Sequence, residues 1–254
     1  MADVETPPFV VNLPRPGGDD THPTAAPLAG RSRAGAESAR YGVLRRLGPA
    51  LKHDMVVNLQ AIAMMAEVLN AKLERGSPSP AEFQASISKL NRLARVAVAN
   101  CLKVATWIEP EEDGAVRLAP GVEDCISLLA SNFNFRGIVV KTDLADSPLQ
   151  VSTVLLRNLL TATLITMTDS AGGPCVVDVK AAVIEGFAEI SVRTSPRTGE
   201  VDAMPFDAGY RQLEWADVQA LADSESVELL REVDHITMRL PRVVPNAPLQ
   251  IAPV

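Results

Sequence analysis

Residues 44–73 read LRRLGPALKHDMVVNLQAIAMMAEVLNAKL. Leu44, Leu47, Leu51, Met55, Leu59, Ile62, Ala66, Leu69 and Leu73 recur at intervals of three and four residues. That is the seam of one long helix packed along its length. At about 100° per residue, His53 falls almost opposite the seam. Its heptad neighbours Arg46, Gln60, Glu67 and Glu74 are polar. A helix long enough for a bundle thus carries one histidine on its outer face, followed at once by Asp54. A surface histidine beside an acid is ordinary, so the rest of the chain must say whether this one matters.

Upstream, residues 1–36 are rich in Pro, Gly, Ala and Thr and read as a disordered tail. His22 falls within it and is incidental. The first helix is expected to begin near Glu37. Gly48-Pro49 interrupts the pattern one turn before His53, because a proline there removes a backbone bond to residue 45, and it either kinks or restarts the helix. Gly76 ends the helix. Ser79 and Glu82 then form a capping box with Pro80 at the first helical position, the start signal of a second helix over 80–108. Its seam runs from Phe83 through Ile87, Leu90, Ala94, Ala97, Cys101 and Val104 to Ile108. So short a loop makes residues 37–109 an antiparallel hairpin. Two helices cannot bury both seams, and Val56, Val57 and Val98 add further apolar surface. A homodimer forming a four-helix bundle is the expected solution.

Glu109 to Gly114 reads as a hinge, after which the periodicity changes. A short strand is expected at Val116–Leu118, a helix over 120–133 and a strand at Gly137–Leu144. A helix apolar nearly all round, Val151–Thr168, follows. Cys175–Ile184 and Phe187–Thr194 read as a hairpin turning at Glu185-Gly186. Leu213 to about Val233 is helical in pattern, and Asp234–Pro241 is a closing strand. Residues 114–243 are therefore expected to form an α/β sandwich with helices on one face of a mixed sheet, and residues 244–254 a loose tail. The fold class is α+β: a helical hairpin followed by an α/β domain.

Composition narrows the function. The chain has 254 residues, 47% of them hydrophobic and 4% aromatic, so its core is aliphatic. A net charge of −7 argues against nucleic acid as the main partner. Cys101, Cys125 and Cys175 are far apart, show no metal-ligand spacing and suit reduced thiols of a cytoplasmic protein. No secretory pattern opens the chain, and no apolar run approaches the roughly 18 residues of a membrane span. No membrane partner is expected.

A hairpin with Leu51-Lys52-His53-Asp54-Met55 on its first helix, followed by helix, strand, buried helix, hairpin, helix and strand, resembles the core of sensor histidine kinases. That core joins a dimerisation and phosphotransfer hairpin to a Bergerat-type nucleotide domain. Leu155 to Leu164 resembles the nucleotide helix, Val183–Thr194 the strands beside the nucleotide, and Ile236–Pro241 the last strand. The departures fall on the nucleotide groups. The asparagine that ligates magnesium in the family is Ala162 here. The Asp-x-Gly-x-Gly segment is replaced by Val192 to Gly199, without an aspartate. The glycine-rich stretch near the last helix is missing from Ser224–Val233.

A kept His-Asp helix beside a nucleotide domain without its ligands is similar to the dimeric histidine phosphotransferases of bacterial phosphorelays. The resemblance implies His53 as phosphoacceptor and Asp54 as the group that orients or deprotonates its imidazole. On the helical wheel Val56, Val57 and Met64 fall within about 60° of His53 and are either receiver contacts or bundle packing, with packing favoured for Val56 and docking for Met64. Lys52, Val57, Gln60 and Met64 are the expected surface for a response-regulator receiver domain, with a sensor kinase as a further partner. The resemblance implies no cofactor or metal on this chain, magnesium being carried by the receiver. The family's polar residue four positions after the histidine is Val57 here, which argues against phosphatase activity on the receiver. The rival reading is an inert pseudokinase that binds a receiver or a kinase without taking phosphate.

Overall fold

The computed structural model describes residues 27–76, 79–109, 114–199 and 211–243. Residues 1–26 (with His22), the hinge residues 110–113 and the tail 244–254 lie outside the described residues.

Helix α1 spans Pro27–Arg75. It begins at Pro27 rather than near Glu37, so the last part of the expected tail is helical. It also runs unbroken through Pro49, which answers the choice between kink and restart: this is one helix. A proline inside a helix costs about 3 kcal/mol. Here packing on both sides of it offsets that cost, because Leu47 and Leu51 are buried. Ala36, Ala39 and Val43 are buried on the same stripe and share one core cluster with the α/β residues. Small residues let α1 come close to its neighbours. A Cβ on Gly42 would stand 2.8 Å from the Leu213 side chain, and one on Gly35 3.3 Å from Ala220. The first half of α1 therefore belongs structurally to the α/β layer, not to the hairpin assigned to it from sequence.

Helix α2, Pro80–Ile108, starts with the expected capping box. The Ser79 hydroxyl accepts from the Glu82 N–H at 3.3 Å, and the Glu82 carboxylate accepts from the Ser79 N–H at 3.0 Å. The Ser79 hydroxyl, followed by its N–H, holds the Glu82 carboxyl below the usual range. The helix packs antiparallel on the second half of α1, with Ile62, Met65 and Leu69 half-buried there. An 18-residue window of α1 is long and apolar enough, by length and composition only, to cross a membrane, and none of it is buried inside the chain.

The α/β layer runs β1 (Ala115–Arg117), α3 (Leu118–Phe135), β2 (Val139–Leu144), β3 (Gln150–Ser152), α4 (Thr153–Ser170), β4 (Cys175–Ile184), β5 (Phe187–Pro196), α5 (Trp215–Ser224), β6 (Glu228–Arg231) and β7 (His235–Leu240). Five strands form a mixed sheet in the order β2-β4-β5-β7-β6, with β2 and β4 parallel and the other pairs antiparallel. Alternation is strict in the centre: Val177, Val179, Ile190, Val192, Ile236 and Met238 are buried, while Lys180 and Arg193 on the other face are exposed. The β4–β5 turn is the expected Glu185-Gly186, with φ of 53° and 85°, the left-handed pair a tight hairpin needs.

Two expectations are corrected. Leu213–Val233 is not one helix: α5 ends at Ser224, and β6 adds an edge strand beside β7. Val227-Glu228-Leu229-Leu230 fits either period, and the open edge of β7 decides for strand. Leu118 opens α3 instead of closing the first strand, which pairs with β3, a strand the sequence did not reveal.

Candidate functional site

His53 lies two residues beyond Leu51, the last buried side chain on α1. From there the helix leaves the α/β layer, and both His53 and Asp54 are exposed, at 67% and 60%. The imidazole Nδ1 stands 3.3 Å from Asp54 Oδ1. With Nδ1 as the protonated nitrogen, it donates to the carboxylate and Nε2 keeps its lone pair. Asn58, one turn later, donates its amide to the Asp54 carbonyl at 2.6 Å. Lys52, Val57, Gln60 and Met64 are all exposed. On the helical wheel Val57, Gln60 and Met64 fall within about 40° of His53. Val68 shares that face and is 46% exposed. It was missed in the sequence, although the spacing His53, Val57, Met64, Val68 carries the signal.

Other apolar side chains along the hairpin are also open. Leu59 is 52% and Leu73 46% exposed, and on α2 Val98 and Leu102 are exposed as well. The sequence placed Leu59 and Leu73 in the packed seam; a single chain leaves them half uncovered.

On α4, where the resemblance puts the nucleotide helix, Ala162 is fully buried and offers no ligand atom. Asn158 lines a cleft of about 560 Å³ between α4, the root of α2 and the first half of α1. Arg40 is the one cation among its described lining residues, and it is bonded to both Glu37 and Glu225. Among the described residues the cleft therefore carries no net positive charge. Thr194 on β5 lines a smaller cavity of about 160 Å³, with Trp215 and Arg231 stacked at 4.7 Å on its wall. Among the described residues no cluster of three or more His, Cys, Asp or Glu could hold a metal ion.

No family model and no curated protein matches the chain. Solved structures similar to it include a histidine kinase, AdeS, from Acinetobacter baumannii. That match has 12% identity, covers 72% of this chain and 96% of that one, and has a TM-score of 0.38. A bacterial phosphotransferase is similar at 14% identity, covering 78% and 95%, with a TM-score of 0.35. The histidine kinase ThkA in complex with the response regulator protein TrrA is similar at 12% identity, covering 87% and 67%, with a TM-score of 0.38. Likeness at this level carries no functional argument; what it accompanies is a fold of helical hairpin and α/β layer, with one exposed His-Asp pair where the two part.

Proposed function

We propose that the chain is a histidine phosphotransfer protein of a two-component phosphorelay, taking and giving phosphoryl groups through His53 without ATP. The observation that carries this reading is the His53–Asp54 pair: an exposed imidazole on a long helix, with Nδ1 3.3 Å from the Asp54 carboxylate, which leaves Nε2 for chemistry. Nε2 attacks the phosphorus of an aspartyl phosphate on a receiver domain. The N–P bond forms as the P–O bond to the aspartate breaks, and the carboxylate leaves with the bonding pair. Asp54 stabilises the positive charge that develops on the ring and keeps the proton at Nδ1. The reverse step passes the phosphoryl group to the next receiver. Magnesium belongs to the receiver, so this chain needs no metal site.

Three features support operation without nucleotide. Ala162 has no side-chain oxygen for magnesium, the cleft beside Asn158 has two carboxylates around the one cation among its described lining residues, and α1 walls that cleft with its own side chains. The half-exposed side chains of Leu59, Leu73, Val98 and Leu102 support a homodimer built on the hairpin. The test is incubation with phosphorylated receiver domains and no ATP. Wild type is expected to take label, His53→Ala none, and Asp54→Asn to take it more slowly. A wild type that binds a receiver tightly but takes no label would replace this reading with the inert scaffold.

A further inference from the structure

The second half of α1 presents His53, and the first half is tied to the α/β layer by one buried ionic cluster. Arg46 donates Nη2 to both carboxylate oxygens of Asp169, at 3.0 Å each, near the end of α4. Arg136, which caps α3, donates to Asp169 Oδ1 at 2.9 Å and to the Thr168 carbonyl at 2.8 Å. The side chains of Arg46, Asp169 and Arg136 are 8%, 4% and 9% exposed. Burial pushes the Asp169 carboxyl up, against the pull of Arg46 and Arg136.

Apolar packing of the same volume would hold the layers at least as firmly, because desolvating a buried ion pair consumes most of its attraction. What ions add is direction: one carboxylate accepting from guanidinium groups on two other helices fits one register of α1 on α3 and α4. Arg46 also precedes His53 by seven residues, two turns on one helix face. The face that shows His53 to solvent is thus the face clasped by Asp169 one heptad earlier.

We infer that Arg46 is a positioning residue: its ion pair with Asp169 locks the hairpin and the α/β layer in one relative orientation, and so sets what stands beside His53 when a partner docks. The lock itself stands on geometry, and its bearing on transfer rests on the reading of His53 above. Arg46→Met is the clean perturbation, because Arg136, Asp169 and Thr168 stay bonded to one another within the α/β layer. Hydrogen exchange of the full-length protein reads the lock directly. Amides of residues 36–47 are expected to exchange at least tenfold faster in Arg46→Met, while α4, β4 and β5 keep their protection. Arg46→Lys, which keeps the charge on a shorter stem without the planar guanidinium, is expected to fall between. In transfer assays KM for the phosphorylated receiver should rise several-fold with kcat nearly unchanged. Unchanged exchange over 36–47, or a rise shared equally by α4 and the sheet, overturns the lock. A local rise with unchanged KM overturns the positioning role. A wild type that takes no phosphate fails the earlier reading and leaves the exchange result standing.

Discussion

Leu47 and Leu59 lie on one helix and were read from sequence as members of one seam, yet truncating them should have different consequences. Leu47 is 0% exposed, within the core shared by α1 and the α/β layer; Leu59 is 52% exposed. Leu47→Ala removes three buried carbons, roughly 2.4 kcal/mol at about 0.8 kcal/mol each. The cavity left behind brings the loss to about 3–5 kcal/mol. For a domain of this size, where 1 kcal/mol moves the melting temperature by about 2–4 °C, the midpoint should fall by at least about 6 °C. Leu59→Ala has at most half that surface to lose within one chain, so its intrinsic cost is about 1 kcal/mol. Any larger loss must come from a second copy, and by mass action it then grows weaker or stronger with protein concentration. Thermal unfolding by circular dichroism over a hundredfold range of concentration, with light scattering at each, separates the two. The expected result is a deep, concentration-independent drop for Leu47→Ala, and a concentration-dependent one with a weakened dimer for Leu59→Ala. A Leu47→Ala protein that melts with wild type would show that the first half of α1 is not docked on the α/β layer. A Leu59→Ala protein whose mass and melting match wild type at every concentration would remove Leu59 from the proposed dimer contact.

Two further outcomes test packing and charge. A Cβ on Gly121 would meet the Leu156 side chain at 2.5 Å and Val116 at 2.9 Å, so Gly121→Ala should overpack the α3–α4 contact and cost about 1–3 kcal/mol, read as a lower denaturant midpoint. Burial raises the Asp217 carboxyl, but hydrogen bonds from Arg211 and the Glu214 N–H outweigh it and leave it below its ordinary 3.8. A lowered carboxyl contributes stability that is full above 3.8 and is lost as the pH falls through its folded value. The melting difference between wild type and Asp217→Asn should therefore be constant near neutrality and vanish in strong acid. A difference that persists there would show that the charge is not what Asp217 contributes. Since Arg211 also donates to Ser38 on α1 at 3.2 Å, the same pH window should loosen the α1–α5 contact.

What could be read along the chain is what the chain specifies locally. The Ser79–Glu82 capping box, the Glu185-Gly186 turn and the strict alternation of β4 and β5 each depend on residues within a few positions of one another, so pattern and turn chemistry place them. His53 opposite its seam is likewise a matter of helical period alone, and so was the face it shares with Val57 and Met64. The assignments that changed all depended on a distant partner. Val227 to Arg231 fits helix or strand, and only the free edge of β7 chooses. Gln150–Ser152 is too short to be seen until β1 lies against it. The first half of α1 carries the same three-four spacing as the second, and spacing cannot say what a seam packs on. Ala36, Ala39, Val43 and Leu47 meet the α/β layer, while Leu59 and Leu73 are left half open. Arg46 looks from its heptad like any solvated helix residue. Only folding brings Asp169, more than a hundred positions away, to within 3.0 Å of it, in a place where water no longer competes for either charge.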